Sequence, residues 1–127
     1  MQGKLLFEYA VIRIVPRVER EEFINVGVIL YCRERKFLQA VFTLNEEKLR
    51  ALAPGIDVQE VKDYLQAFEQ ICCGGNKGGP IGRLDTALRF RWLTATRSTI
   101  LQTSRVHTGF CDDPAATLQK LHAQLVL

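Results

Sequence analysis

The stretch Leu5-Leu-Phe-Glu-Tyr-Ala-Val-Ile-Arg-Ile-Val15 decides the fold. It is rich in β-branched and aromatic residues, which favour a strand. In a strand, alternate side chains share a side: Phe7, Tyr9, Val11 and Val15 on one, and Ala10, Ile12 and Ile14 on the other. Because both sides are apolar, we expect a central strand that is covered on each face. Pro16 ends it, since proline cannot donate to a strand ladder.

Two more strands are predicted directly after this one. Residues 24–32 read INVGVILYC and residues 37–44 read FLQAVFTL, with the polar residues Arg33-Glu-Arg-Lys36 between them. Two apolar runs joined by a short polar turn are typical of a β-hairpin. Gly27 inside the second strand indicates a bulge or a close backbone approach.

Three helices are predicted from their first residues. Asn45 is a plausible N-cap of a short helix that ends before Pro54. Asp57 can cap a second helix, whose apolar residues recur at helical spacing: Val58, Val61, Leu65, Phe68, Ile71 and Cys72. Asp113 caps a third helix with Pro114 at its first position, where a missing N–H costs nothing.

The region between the second and third helices is harder to assign. Residues 73–82 are rich in glycine and predict a flexible loop. Residues 83–93 fit either a helix, through the spacing of their leucines, or a strand, through the alternation of arginines with Phe90 and Trp92. Residues 98–102 and 106–110 predict extended segments.

The order of these elements predicts an α+β fold, with an antiparallel sheet of about four strands and helices packed on one face. At 127 residues the chain has the size of a single domain, residues 1–127. A chain of this length buries enough apolar surface to fold without a disulfide or a metal.

The composition predicts a cytoplasmic protein that does not enter membranes. The longest apolar stretch, from Val26 to Cys32, is far too short to span a bilayer, and the first residues do not resemble a signal peptide. The four cysteines, Cys32, Cys72, Cys73 and Cys111, are therefore expected to be reduced thiols.

Three stretches in a fixed order resemble a known family. They are YAVIRIVP at residues 9–16, followed by REEFINVGV at 20–28; RFRWL at 89–93; and SRVHTG at 104–109, which leads into Asp113-Pro114. This order resembles the bacterial family catalogued as domain of unknown function 3037. The resemblance implies no catalytic residues, because the family has no established activity. It implies a protein partner, a kinase-like protein of the HipA type, since family members are often encoded beside such proteins.

Polar residues inside the apolar strands are candidates for a binding site. Arg13 interrupts an apolar strand face, and a buried guanidinium needs a partner or a bound anion. In the structural interpretation, Arg13 pairs with Glu22 while Asn25 ties down a turn. In the functional interpretation, a small anionic substrate is bound by Arg13, Glu22, Asn25, Arg97 and His107.

The basic segment 77–105 suggests nucleic-acid binding as an alternative. Arg89 and Arg91 alternate with Phe90 and Trp92, and such cations and rings can stack on single strands. The competing interpretation places both rings in the core and both arginines in solvent, as a strand of period two would.

Cofactor and metal motifs are missing from the sequence. Lys77 in the glycine-rich loop is followed by Gly78 rather than Ser or Thr, so the loop does not match a P-loop. Cysteines and histidines lack the spacing of a zinc site, and Cys111 with His107 is the one local thiol–imidazole pair. We therefore expect no metal and no cofactor. Three functions stay open: an accessory or protein-interaction domain, a nucleic-acid-binding domain, and an enzyme.

Overall fold

Five antiparallel strands form one sheet in the computed structural model, which describes residues 4–127. The sheet order is β3-β2-β1, and the other edge of β1 pairs with two strands in succession. Its first half pairs with β5 and its last three residues pair with β4. The strands are β1 (Leu5–Ile14), β2 (Ile24–Cys32), β3 (Phe37–Phe42), β4 (Leu101–Thr103) and β5 (His107–Cys111). The predicted antiparallel α+β class is confirmed, with β5 added to the expected four or so strands.

The central strand β1 separates two apolar clusters, as its alternation predicts. Ala10, Ile12 and Ile14 pack with residues of α2 (Val58–Cys73) and α4 (Thr86–Leu93), on what we call the α2 face. Leu5 and Phe7 pack with Leu118 of α5 (Pro114–Leu125), on what we call the α5 face. The helices therefore cover both faces of the sheet, which corrects the expectation that they pack on one face.

Gly27 has both features that its position in β2 predicts. The register between β1 and β2 shifts where Ile12 pairs with Gly27 and Arg13 pairs with Asn25. A Cβ on Gly27 would lie 2.4 Å from the carbonyl oxygen of Val41 on β3. Glycine is therefore required for β3 to approach β2 this closely.

The predicted helix starts are confirmed by their cap hydrogen bonds. The Asn45 side chain accepts from the Lys48 amide at the start of α1 (Glu46–Leu52). Asp57 accepts from the Glu60 amide at the start of α2, and Asp113 accepts from two amides at the start of α5. These caps satisfy donors that have no partner inside the helix.

The glycine-rich segment is more ordered than the predicted flexible loop. It contains a 3-10 turn at Asn76–Gly78 and the short helix α3 (Gly79–Gly82). The Gly75 amide donates to the Gly82 carbonyl at 2.8 Å, which closes the segment on itself.

Residues 86–93 form the helix α4, and this decides between the two interpretations of that segment. Phe90 is fully buried, but Trp92 is 46% exposed. The idea that both rings belong to the core is therefore wrong, because residues two apart on a helix point in different directions.

Candidate functional site

The residues predicted to bind an anion do not converge in one pocket. Arg13 and Asn25 are paired neighbours on β1 and β2. His107 pairs with Tyr9 on β1, which lies four residues before Arg13, a distance of about 13 Å at the usual rise of a strand. Glu22 lies in an exposed ion pair, and Arg97 lies at the end of α4, on the α2 face. Of the five, the structure brings together Arg13 and Asn25.

Arg13 carries a partly buried guanidinium that has no acidic partner among the described residues. Its Cζ lies 4.0 Å from the centroid of the Phe23 ring, a cation–π contact. Its Nε is buried and has no hydrogen-bond partner within residues 4–127, and burial lowers the pKa of Arg13. The predicted pairing with Glu22 is wrong, because Glu22 accepts instead from the Nε of Arg20 at 2.7 Å.

Asn25 fastens a helix to the sheet rather than tying down a turn. Its Nδ2 donates to the carbonyl oxygen of Leu125, in the last turn of α5, at 3.1 Å. Its Oδ1 is buried and accepts no hydrogen bond from any part of the chain that the structure describes. The polar insertion in β2 therefore has a clear structural role at the C-terminal end of α5.

His122 is a buried polar residue that the sequence analysis missed. It is 7% exposed, and its Nε2 lies 2.8 Å from the Oγ1 of Thr43, just beyond β3. Burial lowers its pKa, since the interior disfavours the imidazolium ion. His122 follows the buried Leu118 by four residues, so its place on the apolar stripe of α5 was the available signal.

Arg97 caps the C-terminal end of α4. Its guanidinium donates to the carbonyl oxygens of Trp92, Leu93 and Ala95, the last two at 3.3 Å. Its Cζ also lies 5.0 Å from the centroid of the Trp92 ring. Cations favour the negative end of a helix, so these contacts place a fixed positive charge beside Trp92.

His107 and Cys111 do not form a nucleophile–base pair. His107 stacks on Tyr9 with 5.2 Å between ring centroids. Cys111 lies four residues further along β5, about 13 Å away at the rise of a strand, whereas proton transfer needs hydrogen-bond distance. Burial raises the pKa of the Cys111 thiol, which opposes formation of the reactive thiolate.

Arg89 and Arg91 are both engaged within the protein. Arg89 donates from Nη1 to the Leu84 carbonyl at 2.7 Å, and its guanidinium lies against Gly74. Arg91 donates from Nη2 to both carboxylate oxygens of Glu8, at 2.9 and 3.0 Å. Neither arginine therefore stands free beside an exposed ring, as stacking on a nucleic acid would require.

An apolar groove of about 260 Å³ lies between α2, α4 and β4. Two aromatic side chains stand at its rim: Tyr64 on α2 is 42% exposed and Trp92 on α4 is 46% exposed. Among the residues that the structure describes, Arg97 is the one charged residue in its lining. The lining consists of Tyr64, Ala67, Phe68, Ile71, Trp92, Leu93, Arg97, Thr99, Ile100, Leu101, Gln102 and Thr103.

Beside this groove, β4 presents an open main-chain edge. The Ser104 amide donates to the Val11 carbonyl, and the Val15 amide donates to the Ile100 carbonyl. Since hydrogen-bonded pairs alternate along an antiparallel ladder, the main-chain groups of Leu101 and Thr103 point away from β1. Within residues 4–127, β4 pairs with β1 alone.

Two clefts of larger volume are mixed in charge. One, of about 1270 Å³, is lined by basic and acidic residues together: Arg33, Lys36, Arg89 and Arg91 with Glu8, Glu34 and Asp85. The other, of about 590 Å³, contains Arg17, Arg20 and Glu22. Neither cleft combines an apolar floor with exposed aromatic rims, so the groove beside β4 is the candidate functional site.

Neither a metal-binding cluster nor a membrane-spanning helix occurs within residues 4–127. In that part of the chain, no three His, Cys, Asp or Glu side chains come together in a way that could hold a metal ion. None of its helices has the length and apolar character that crossing a bilayer requires. All four cysteines are free thiols.

Comparison with known proteins assigns the chain to a family. Neither a search of curated proteins nor a search of solved structures found a match. The model of the family described as "Protein of unknown function (DUF3037)" matches residues 9–126, nearly the whole chain. This is the family that the three sequence stretches resemble, and the chain belongs to it.

Proposed function

We propose that this chain is a single, non-catalytic interaction domain that binds a partner protein at the groove between α2, α4 and β4. The observation that carries the proposal is the pair of aromatic rims, Tyr64 and Trp92, each nearly half exposed above an apolar floor. Tyrosine and tryptophan are enriched among the residues that contribute most to binding at protein interfaces.

The arrangement of the other candidate residues favours binding over catalysis. A catalytic site needs its acid, base or nucleophile within hydrogen-bond reach of one reacting position. Arg13 and Asn25 lie on the α5 face, whereas Arg97 lies on the α2 face and Glu22 is paired with Arg20. Arg89 and Arg91 are likewise held by contacts within the chain, which weakens the nucleic-acid alternative.

The proposed partner is a kinase-like protein of the HipA type, and the proposed location is the bacterial cytoplasm. The partner rests on what the family resemblance implies. The location is supported by the four free thiols, since cysteines in oxidising compartments usually form disulfides.

The test is co-purification of the tagged chain with a HipA-type kinase from the same genome, followed by titration calorimetry of the purified pair. We expect Trp92→Ala and Tyr64→Ala each to weaken binding about tenfold or more, as truncation of a central aromatic contact does. Leu88→Ala is the matched control, because Leu88 is 52% exposed on α4 but lies outside the groove lining. Equal affinities for the wild type and the two groove variants would refute the proposed site.

A further inference from the structure

We infer that the groove receives an extended segment of the partner, which adds to the sheet as a strand beside β4 and places an acidic side chain next to Arg97. The inference rests on the proposed function, because it takes the groove between α2, α4 and β4 as the site of protein binding. It adds the conformation of the bound segment and the chemistry of its side chains.

The open main chain of β4 supplies the first argument. Leu101 and Thr103 turn their amide and carbonyl groups away from β1, and no described strand pairs with them on that side. The Leu101 carbonyl already accepts from the Thr99 hydroxyl at 2.8 Å. The open donors on this edge are the amides of Leu101 and Thr103. Unpaired edge groups are a template for an incoming strand, and sheet extension is a common mode of peptide recognition.

The groove itself supplies the second argument. It runs along β4, whose three residues rise about 10 Å, so main-chain pairing covers roughly three residues of an extended segment. Alternate side chains of that segment would point to the α2 face, where Tyr64, Ala67 and Ile71 form an apolar wall. The segment should therefore carry apolar residues at every second position.

Charge supplies the third argument. Arg97 is the one charged residue lining the groove, and no carboxylate within residues 4–127 forms an ion pair with it. Its bonds to the carbonyl oxygens of α4 hold the guanidinium in place at the groove wall. A fixed cation with no acid beside it is complementary to an Asp or Glu on the bound segment.

Other occupants fit these observations less well. A helix has no main-chain groups left to pair with the open donors of Leu101 and Thr103, because its own hydrogen bonds use them. A second copy that paired through β4 would bring no free apolar side chain, since Leu101 already packs against its own core. It would also bring a second Arg97 towards the first, and like charges repel.

The test uses peptides selected on the whole chain from a random-sequence phage library and then synthesised. Their affinities are compared for the wild type, Thr103→Pro and Thr103→Val. Proline at position 103 removes the outward amide but leaves the ladder with β1 intact, because that amide does not point to β1. Valine keeps the amide, and both variants lose the weak 3.5 Å hydrogen bond from the Thr103 hydroxyl to Thr94.

We expect Thr103→Pro to weaken binding about tenfold, the effect of leaving one buried hydrogen-bonding group unpaired, and Thr103→Val to change it less than twofold. Exchange of an acidic residue in the peptide for its amide should weaken binding to the wild type but not to Arg97→Gln. Hydrogen exchange of the Leu101 and Thr103 amides in the wild type should slow when the peptide binds, a readout that does not depend on the proline variant folding.

The outcomes separate this inference from the proposed function. If the peptides bind Thr103→Pro as tightly as the wild type, or leave exchange of the two amides unchanged, strand addition is overturned. If the same peptides no longer bound to Trp92→Ala, that result would still support the groove as the binding site. If no peptide is enriched, or the peptides bind Trp92→Ala unchanged, both fail. A dimer of the free chain that dissociates in Thr103→Pro would make a second copy the occupant and overturn the partner segment.

Discussion

The side chain of Asn25 on β2 donates a hydrogen bond to the main-chain oxygen of Leu125, 100 residues later in the chain. The bond joins the sheet to the last turn of α5, where a helix leaves its carbonyl oxygens without internal partners. It is the polar counterpart of the apolar contact that Leu118 makes about two turns earlier on the same helix.

Asn25→Ala should lower the free energy of unfolding by about 1 kcal/mol, the usual contribution of one such hydrogen bond. Urea denaturation of the two proteins measures the difference. Gln59→Ala is the control, because its amide donates to Asp63 in an exposed position on α2 and should change stability by less than about 0.5 kcal/mol. Equal losses for the two variants would show that the link between β2 and α5 contributes nothing.

The stability of the protein should fall with pH below about 6.5 because of His122. Burial lowers its pKa in the folded state, so the folded protein binds fewer protons than the unfolded chain in this range. Stability is therefore complete at neutral pH and is lost as the pH falls through 6.5 and below. Urea denaturation at pH 7.0 and 5.5 measures this loss.

His122→Gln serves as the comparison for that pH dependence. Glutamine keeps a polar group near Thr43 but does not titrate, so the drop in stability between pH 7.0 and 5.5 should be smaller in the variant. The carboxylates titrate alike in both proteins, so their contribution cancels when the two pH dependences of stability are subtracted. The same pH dependence in both would refute a lowered pKa for His122.

Alkylation of the native protein should modify Cys73 much faster than the other thiols. Cys73 is exposed, whereas burial raises the pKa of its neighbour Cys72 to about 12, and the thiolate is the reactive form. Mass spectrometry after brief treatment with iodoacetamide at pH 7.5 should show one modified thiol per chain. Cys73→Ser should abolish this fast reaction and Cys72→Ala should preserve it; two fast thiols in the wild type would contradict the prediction.

Gly27→Ala should destabilise the protein by about 1–3 kcal/mol, since the added Cβ would overlap the Val41 carbonyl and the Phe42 ring. Gly55→Ala is the matched control, because a Cβ there meets nothing within 4 Å and its backbone is not left-handed. It should leave stability unchanged or raise it by a few tenths of a kcal/mol. Thermal unfolding of both variants distinguishes the close strand approach from a general intolerance of alanine.

Local signals were sufficient to predict much of the fold. The alternation in β1 depends on neighbours in sequence, and so do the caps at Asn45, Asp57 and Asp113; each is confirmed. The ambiguity over residues 83–93 had a local answer too: Asp85 accepts from the Leu88 amide as an N-cap, and this favours a helix.

Contacts between distant residues could not be predicted from spacing. The Asn25–Leu125 bond joins residues 100 apart in sequence and the Arg91–Glu8 pair joins residues 83 apart, and nothing in either segment specifies the other. The predicted pairing of Arg13 with Glu22 failed for the same reason. Glu22 is near Arg13 in sequence, but in the fold it pairs with Arg20. The groove beside β4 depends on how α2, α4 and residues 99–103 pack, so it became visible in the structure alone.

The pairing of both β4 and β5 with one edge of β1 has a consequence for biosynthesis. As the chain leaves the ribosome, β1, β2 and β3 emerge first, and the second edge of β1 stays unpaired until residues 101–111 have been made. The α5 face of this nascent sheet also stays bare until its covering helix follows. Open edges and uncovered apolar faces promote aggregation. The growing chain is therefore prone to aggregate until α5 has been synthesised and covers this face.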